Sequence, residues 1–124
     1  VPRWWDVLTF DPYSARFALH GLAPNTLTRG DGFVQVFDEN MNRKDIDLTE
    51  DAFYVDRDNR RVPPTIERAT WGKDGLLYLH TGHYWKGDPP RVVVVDPETG
   101  AVLDKIPTGE KGNGPQNLWY VEAR

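Results

Sequence analysis

One stretch of the sequence concentrates the side chains that are best suited to chemistry. Residues 79–91 read LHTGHYWKGDPPR and hold two of the three histidines of the chain. Three kinds of structure would use such residues: a metal centre built on His80-x-x-His83, the rim of a ligand pocket, or a polar loop without a ligand. The side chains that would contact a ligand at such a rim are His80, His83, Tyr84, Trp85, Lys86 and Asp88.

The spacing of the two histidines weakens the metal hypothesis. A protein metal site generally needs a third protein ligand, and no motif in this sequence supplies one. Side chains three positions apart in a strand point to opposite faces, unless the Thr81-Gly82 pair bends the chain. We therefore expect no resident cofactor, and a divalent metal held by His80 and His83 is the alternative.

The other polar clusters are typical of turns and linkers rather than of catalysis. Asp56-x-Asp58-Asn59 begins like a calcium loop but lacks the glycine and the distal glutamate of an EF-hand, so we expect a turn capped by aspartate. Ser14 is the only serine and has no G-x-S-x-G context. The glycine-rich stretch 109–114 lacks the Lys-Ser/Thr ending of a phosphate-binding loop.

The composition limits the class of protein. At 124 residues, with 39% hydrophobic and 27% charged residues, the chain fits a single globular domain over residues 1–124. A net charge of −4 without clustered basic residues argues against nucleic-acid binding. No apolar run approaches the ~18 residues of a membrane span, and the absence of cysteine excludes disulfides. The chain does not begin with Met, so we expect a piece of a larger protein; its compartment is not determined.

Short β-branched and aromatic segments between evenly spaced Pro and Gly residues predict an all-β fold. We expect a turn or two of helix only over residues 48–54, opened by Thr49. The Pro89-Pro90 pair is expected to end any regular element. Strands are predicted over residues 6–10, 33–37, 76–80, 91–95, 101–106 and 117–121.

Turn residues arrange the C-terminal strands in order. Asp74-Gly75 supplies the positive φ of a tight hairpin. In Asp96-Pro97-Glu98-Thr99-Gly100, proline fixes the φ angle at the first turn position. Glycine adopts the left-handed, positive-φ conformation at the end of the turn. Residues 66–109 are therefore predicted to form four consecutive antiparallel strands, with the loop after His80 joining the second strand to the third.

The C-terminal part of the chain resembles one blade of a β-propeller of the NHL or YVTN type. RVVVVDPETGAVLDKIPTG is followed by GNGPQNLWYVEAR, and WGKDGLLYLHTG comes before them. The ordered D-G, D-P-x-T-G, I-P-x-G and G-P segments are those that join the strands of such a blade. The resemblance covers residues 66–121 and implies antiparallel four-stranded units that stack as blades.

The N-terminal part carries a fainter version of the same pattern. In DVLTFDPYSARFALHGLAP, Asp11-Pro12 lines up with Asp96-Pro97, about two blades of ~42 residues earlier. FVQVFDENMNRKDIDL has the form of a third-and-fourth strand pair, but its spacing fits neither neighbour, so it is predicted to be a middle blade or an insertion.

The length of the chain conflicts with a complete propeller. Since propellers have roughly 4–8 blades of ~40 residues, this chain is long enough for about three. The chain would then be a fragment of a longer propeller, a protomer that completes a ring as a homo-oligomer, or a small β-barrel or sandwich.

Three functions are open from the sequence, and it is not decided whether the chain is an enzyme. The resemblance implies a module that binds a small-molecule or protein ligand through residues 80–88 and the connections 21–25 and 113–116. The second alternative is an enzyme, since some six-bladed propellers are metal-dependent lactonases or lyases. The third alternative is a small barrel that encloses a hydrophobic ligand. In the lactonase or lyase alternative, the metal ligands would come from His20, His80, His83, Asp88 and Asn113.

Overall fold

The computed structural model describes residues 6–21, 32–83 and 87–108, which form ten strands and no helix. The N-terminal sheet contains β1 (Asp6–Asp11), β2 (Arg16–Gly21), β3 (Phe33–Phe37) and β4 (Arg43–Asp47). A small hairpin follows, with β5 (Tyr54–Val55) and β6 (Arg61–Val62). The C-terminal sheet contains β7 (Ile66–Trp71), β8 (Leu77–His83), β9 (Asp88–Val95) and β10 (Val102–Pro107). Within these three ranges, no helix meets the length and hydropathy needed to cross a membrane.

Both large sheets are antiparallel meanders in which neighbouring strands follow one another along the chain. This confirms the all-β class, the four-stranded antiparallel sheets and the strand order predicted for residues 66–109. Neither of the two sheets closes on itself within the described ranges. The predicted phasing of the N-terminal half is wrong, because β2 pairs with β3. The turns at Asp11 and Asp38 therefore belong to one sheet, rather than to successive blades or an insertion.

An aspartate caps each of the five hairpin turns in the described ranges. The carboxylates of Asp11, Asp38, Asp56, Asp74 and Asp96 each accept a hydrogen bond from the backbone N–H two residues further on, at 2.9–3.0 Å. This side-chain bond holds the chain reversal by mimicking a backbone turn. The turns predicted at residues 56–59, 73–75 and 96–100 are confirmed.

Residues 48–54 do not form the predicted helical turns. A single hydrogen bond joins the Ala52 N–H to the Leu48 carbonyl at 3.0 Å, and β5 begins at Tyr54. The capping residue is Asp47 rather than Thr49, since the Asp47 carboxylate accepts the Thr49 N–H at 2.9 Å. Leu48 and Ala52 are both buried in the core, and the segment between them forms a single hydrogen-bonded turn that is not continued into a helix.

One hydrophobic core lies between the two sheets. The N-terminal sheet contributes the side chains on its inner face, and the C-terminal sheet contributes the face turned toward them. The buried residues that meet there are Ala18, Val34, Val36 and Ile46 from the first sheet and Ile66, Ala69, Trp71, Leu77, Leu79, Val93 and Val95 from the second. The opposite face of the C-terminal sheet holds a second buried cluster of Tyr78, Val92 and Val94.

Trp71 joins the two sheets by a directed contact as well as by packing. Its side chain is 2% exposed, and its indole Nε1–H donates to the Thr9 carbonyl of β1 at 3.0 Å. The Arg16 guanidinium lies 5.0 Å from the centre of the Trp71 ring and donates to the Gly75 carbonyl at 3.0 Å. The β1–β2 turn therefore lies beside the β7–β8 turn.

We expect Trp71→Phe to lower the free energy of unfolding by about 1–3 kcal/mol, because the Thr9 carbonyl loses its donor and the smaller ring leaves a gap. Urea denaturation measures the change. Leu103→Ala on β10, where the side chain is 53% exposed, is the control and should change stability by less than about 0.5 kcal/mol. Equal effects of the two substitutions would contradict this role for Trp71.

The side-chain amide of Asn42 lowers the pKa of Asp38, with help from the Asn42 backbone N–H. Asn42→Ala should therefore raise the pKa of Asp38 in an NMR titration, while the pKa of Asp56, which the Arg60 backbone lowers, should stay unchanged. Because the pKa of Asp38 is lower in the folded state, its contribution to stability is present above the unfolded-state pKa. That contribution is lost as the pH falls through the folded-state pKa. An unchanged Asp38 titration would refute this cause.

Candidate functional site

The strand ends that border the predicted site, His83 and Asp88, lie at one end of the two sheets. The β1–β2 and β7–β8 turns share one end, so the antiparallel order places the end of β4, the start of β7 and the β8–β9 connection at the other. We call this second end the loop end. It also receives the crossover segment, residues 48–65, which leads from β4 to β7.

The base of the β8–β9 connection is held to the crossover segment by buried polar contacts. The Thr65 N–H donates to Asp88 Oδ2 at 2.8 Å, and the Gly82 N–H donates to the Thr65 carbonyl at 3.0 Å. Thr65 and Asp88 are both buried. Hydrogen bonds to a buried carboxylate are stronger than those between neutral groups, so these bonds fix both ends of the connection.

Arg91 adds a second link between β9 and the crossover segment. Its Nη2 donates to the Ala52 carbonyl at 2.7 Å and lies 4.0 Å from Asp88 Oδ1. The Arg91 side chain is 14% exposed and that of Asp88 is fully buried. The pair therefore acts within the fold, and the aspartate carboxylate does not present its charge on the surface.

Gly82 allows the strands to come together at this point. Its φ is 139°, and an added Cβ would lie 2.9 Å from Pro90 Cα, so a larger residue would force the backbone apart. The register shifts between Thr81 and His83. Pro89 and Pro90 lie inside β9, which corrects the expectation that they end a regular element. Prolines are tolerated in sheets where the ladder is interrupted.

His80 and His83 differ in their burial and in their position along β8. His80 lies in β8 opposite Val92 and is only 4% exposed, so it belongs to a buried sheet face and not to a loop. His83 is half-buried and faces Asp88 across the ladder. The predicted loop is thus shorter than expected, because the ladder continues to this pair and leaves only residues 84–87. Tyr84, Trp85 and Lys86 lie outside the described residues.

The described histidines and carboxylates do not gather into a metal-binding group. His20 is buried in β2 opposite Val34. In residues 6–21, 32–83 and 87–108, no three His, Asp or Glu side chains are placed to hold a metal ion. Asn113 lies outside these ranges. A metal on His80 and His83 stays a prediction without a preformed third ligand in the described part of the chain.

Thr65 and the structural role of Arg91 were not predicted from the sequence. Asp88 and Arg91 stand three residues apart in β9, a spacing that in a regular strand turns side chains to opposite faces, so their pairing could not be read from the spacing. Thr65 gives no signal either, because its carboxylate partner lies 23 residues away along the chain.

We expect Asp88→Ala to lower the free energy of unfolding by about 1–3 kcal/mol, because it leaves the buried Thr65 N–H without its acceptor. Hydrogen exchange should show faster exchange of the Thr65 amide. Asp58→Ala, which removes a carboxylate that is 78% exposed, is the matched control and should change stability little. A Thr65 amide that stays protected in the Asp88 variant would contradict this assignment.

Comparison of the chain with protein-family models, with curated proteins and with solved structures gives no match. The resemblance to NHL-type and YVTN-type blades therefore stays a prediction.

Proposed function

We propose that the protein is a binding module that recognises a small-molecule or protein ligand at the loop end of a propeller-like scaffold. The observation that carries the proposal is the anchoring of the β8–β9 connection through Thr65 and Asp88. Binding residues are commonly found on loops that a rigid scaffold positions. A four-residue connection with both ends hydrogen-bonded to a neighbouring segment has that character.

The arrangement of the sheets supports a propeller-like scaffold. Two successive four-stranded meanders pack face to face, and their first strands, β1 and β7, lie beside each other. Adjacent propeller blades have the same strand order and pack in the same manner. The crossover from one unit to the next also reaches the loop end, where the resemblance predicts that ligands bind.

The sequence between the anchored ends suggests the chemistry of the ligand. His83 and Asp88 mark the two strand ends, and Tyr84-Trp85-Lys86 stands between them. Tyrosine and tryptophan combine a large apolar surface with a polar group, and lysine pairs with anions. Because Asp88 is buried, we assign only the charge of Lys86, and not that of Asp88, to contact with the ligand. We expect a ligand with an aromatic or apolar surface beside an anionic group.

Binding can be tested with a defined set of aromatic carboxylates and acidic aromatic peptides, detected by saturation-transfer NMR. The wild-type chain should bind some of them, and His83→Ala/Tyr84→Ala/Trp85→Ala should weaken that binding at least about tenfold, since aromatic contacts dominate such surfaces. His80 stays unchanged because it is buried.

The control for this test is Tyr13→Ala/Met41→Ala, which removes two exposed apolar side chains from hairpin turns. It should bind as the wild type does, and both variants should keep the wild-type circular dichroism spectrum. Undiminished binding by the triple variant, or no binding by the wild type to any member of the set, would refute the proposal in this form.

A further inference from the structure

The C-terminal sheet is buried on both of its faces. One face packs against the N-terminal sheet, and we call the opposite one the far face. Tyr78 on β8 is 3% exposed there, and Val94, its partner on β9, is fully buried. An antiparallel sheet with only one covered face leaves the other one to solvent. A further layer therefore covers the far face, whose buried residues are Thr70, Tyr78, His80, Val92 and Val94.

No element within residues 6–21, 32–83 and 87–108 supplies this layer. The only apolar neighbours of the buried cluster in these ranges are Leu76 and Ile106, which belong to the C-terminal sheet and its own turn. The crossover segment lies on the inner side, since Lys105 Nζ donates to the Asp51 carbonyl at 3.0 Å, and adjacent side chains such as Lys105 and Ile106 point to opposite faces of a strand. The layer over the far face therefore comes from another part of the chain.

We propose that residues 109–124 cover the far face, with the apolar run of residues 118–121 against Tyr78 and Val94. This contact goes beyond the ligand binding proposed above and does not depend on it. The run is Leu-Trp-Tyr-Val, and the sequence predicts a strand there. Because side chains alternate between the two sides of an extended segment, either side of the run offers two apolar residues to the sheet.

The point at which this segment leaves the sheet lets it reach the whole far face. β10 ends at Pro107, at the loop end, and the Thr108 N–H donates to the Pro90 carbonyl at 3.2 Å. The sixteen residues that follow Thr108 can span up to ~55 Å when extended. The four strands of the sheet are only ~14 Å across, and a strand of six residues is ~20 Å long. The segment is therefore long enough to cross the sheet and to run along it.

The other stretches outside the described ranges are too short to cover the far face. A layer there lies two sheet spacings, ~20 Å, from the N-terminal sheet. Residues 1–5 extend from β1 of that sheet by at most ~18 Å. Residues 22–31 join β2 to β3 of the same sheet, so their midpoint reaches no further. Residues 84–86 return to β9 within three positions, whereas Tyr78 lies ~17 Å from His83 along β8.

A paramagnetic label on the full chain tests where the segment lies. The chain has no cysteine, so Glu122→Cys carries a single nitroxide. This label should broaden the amide NMR signals of Thr70 and Tyr78 more strongly than those of Leu19 and Gln35, because the N-terminal sheet lies about 10 Å further from the far face. The control label at Leu8→Cys, on an exposed side chain of β1, should give the reverse order.

Two double variants of the full chain test the contact itself. Leu118→Ser/Tyr120→Ser and Trp119→Ser/Val121→Ser each change one side of the run. Since the side that faces the sheet loses buried apolar surface, at least one of the two should unfold at a lower urea concentration than the wild type. The control Glu110→Ser/Lys111→Ser, in the same segment but outside the run, should unfold at the wild-type concentration.

The two measurements can each overturn the proposal. A label at position 122 that broadens Leu19 and Gln35 more strongly, or that broadens neither sheet, would show that the segment does not lie over the far face. A urea midpoint that neither double variant of the run shifts would show that residues 118–121 make no stabilising contact there.

Discussion

The fold depends on burying one face of each four-stranded sheet against the other. A sheet of four short strands exposes a hydrophobic face that it cannot cover by itself, so each sheet supplies half of a common core. Trp71 makes this packing specific, because its indole N–H must reach the Thr9 carbonyl while its ring fills the core. That contact fixes which ends of the sheets lie together, and it thereby sets which connections share the loop end.

The two ends of the sheets are stabilised in different ways. At the turn end, short aspartate-capped reversals form within a few residues and need little from the rest of the chain. At the loop end, the crossover segment and the β8–β9 connection are tied together by hydrogen bonds between residues far apart in sequence, with the buried Asp88 carboxylate at the centre. Satisfied buried polar contacts of this kind rigidify a fold, and this is why we propose that binding residues are held at the loop end.

The sequence predicted the all-β class, the strand order of residues 66–109 and the turns because these depend on local chemistry. Asp74-Gly75 and Asp96–Gly100 need only their own backbone geometry to reverse the chain. The same local reasoning was wrong over residues 48–54, where Leu48 and Ala52 are drawn into the core. It was also wrong at Pro89-Pro90, which a shift in strand register accommodates. For the predicted site, the sequence pattern indicated a connection between β8 and β9, but not the burial of His80 and Asp88.

The amino-acid sequence by itself determined where the chain turns and which segments become strands, because aspartate, glycine and β-branched residues act over two to five positions. Only the tertiary structure decided that the Asp11 and Asp38 turns share one sheet, since pairing of β2 with β3 depends on contacts between distant residues. Only the tertiary structure likewise decided which residues of the stretch LHTGHYWKGDPPR are buried. Its residues suggested a ligand site, but its register with β9 and the distant Thr65 amide place His80 and Asp88 inside the protein. His83 lies at the end of β8, immediately before residues 84–87.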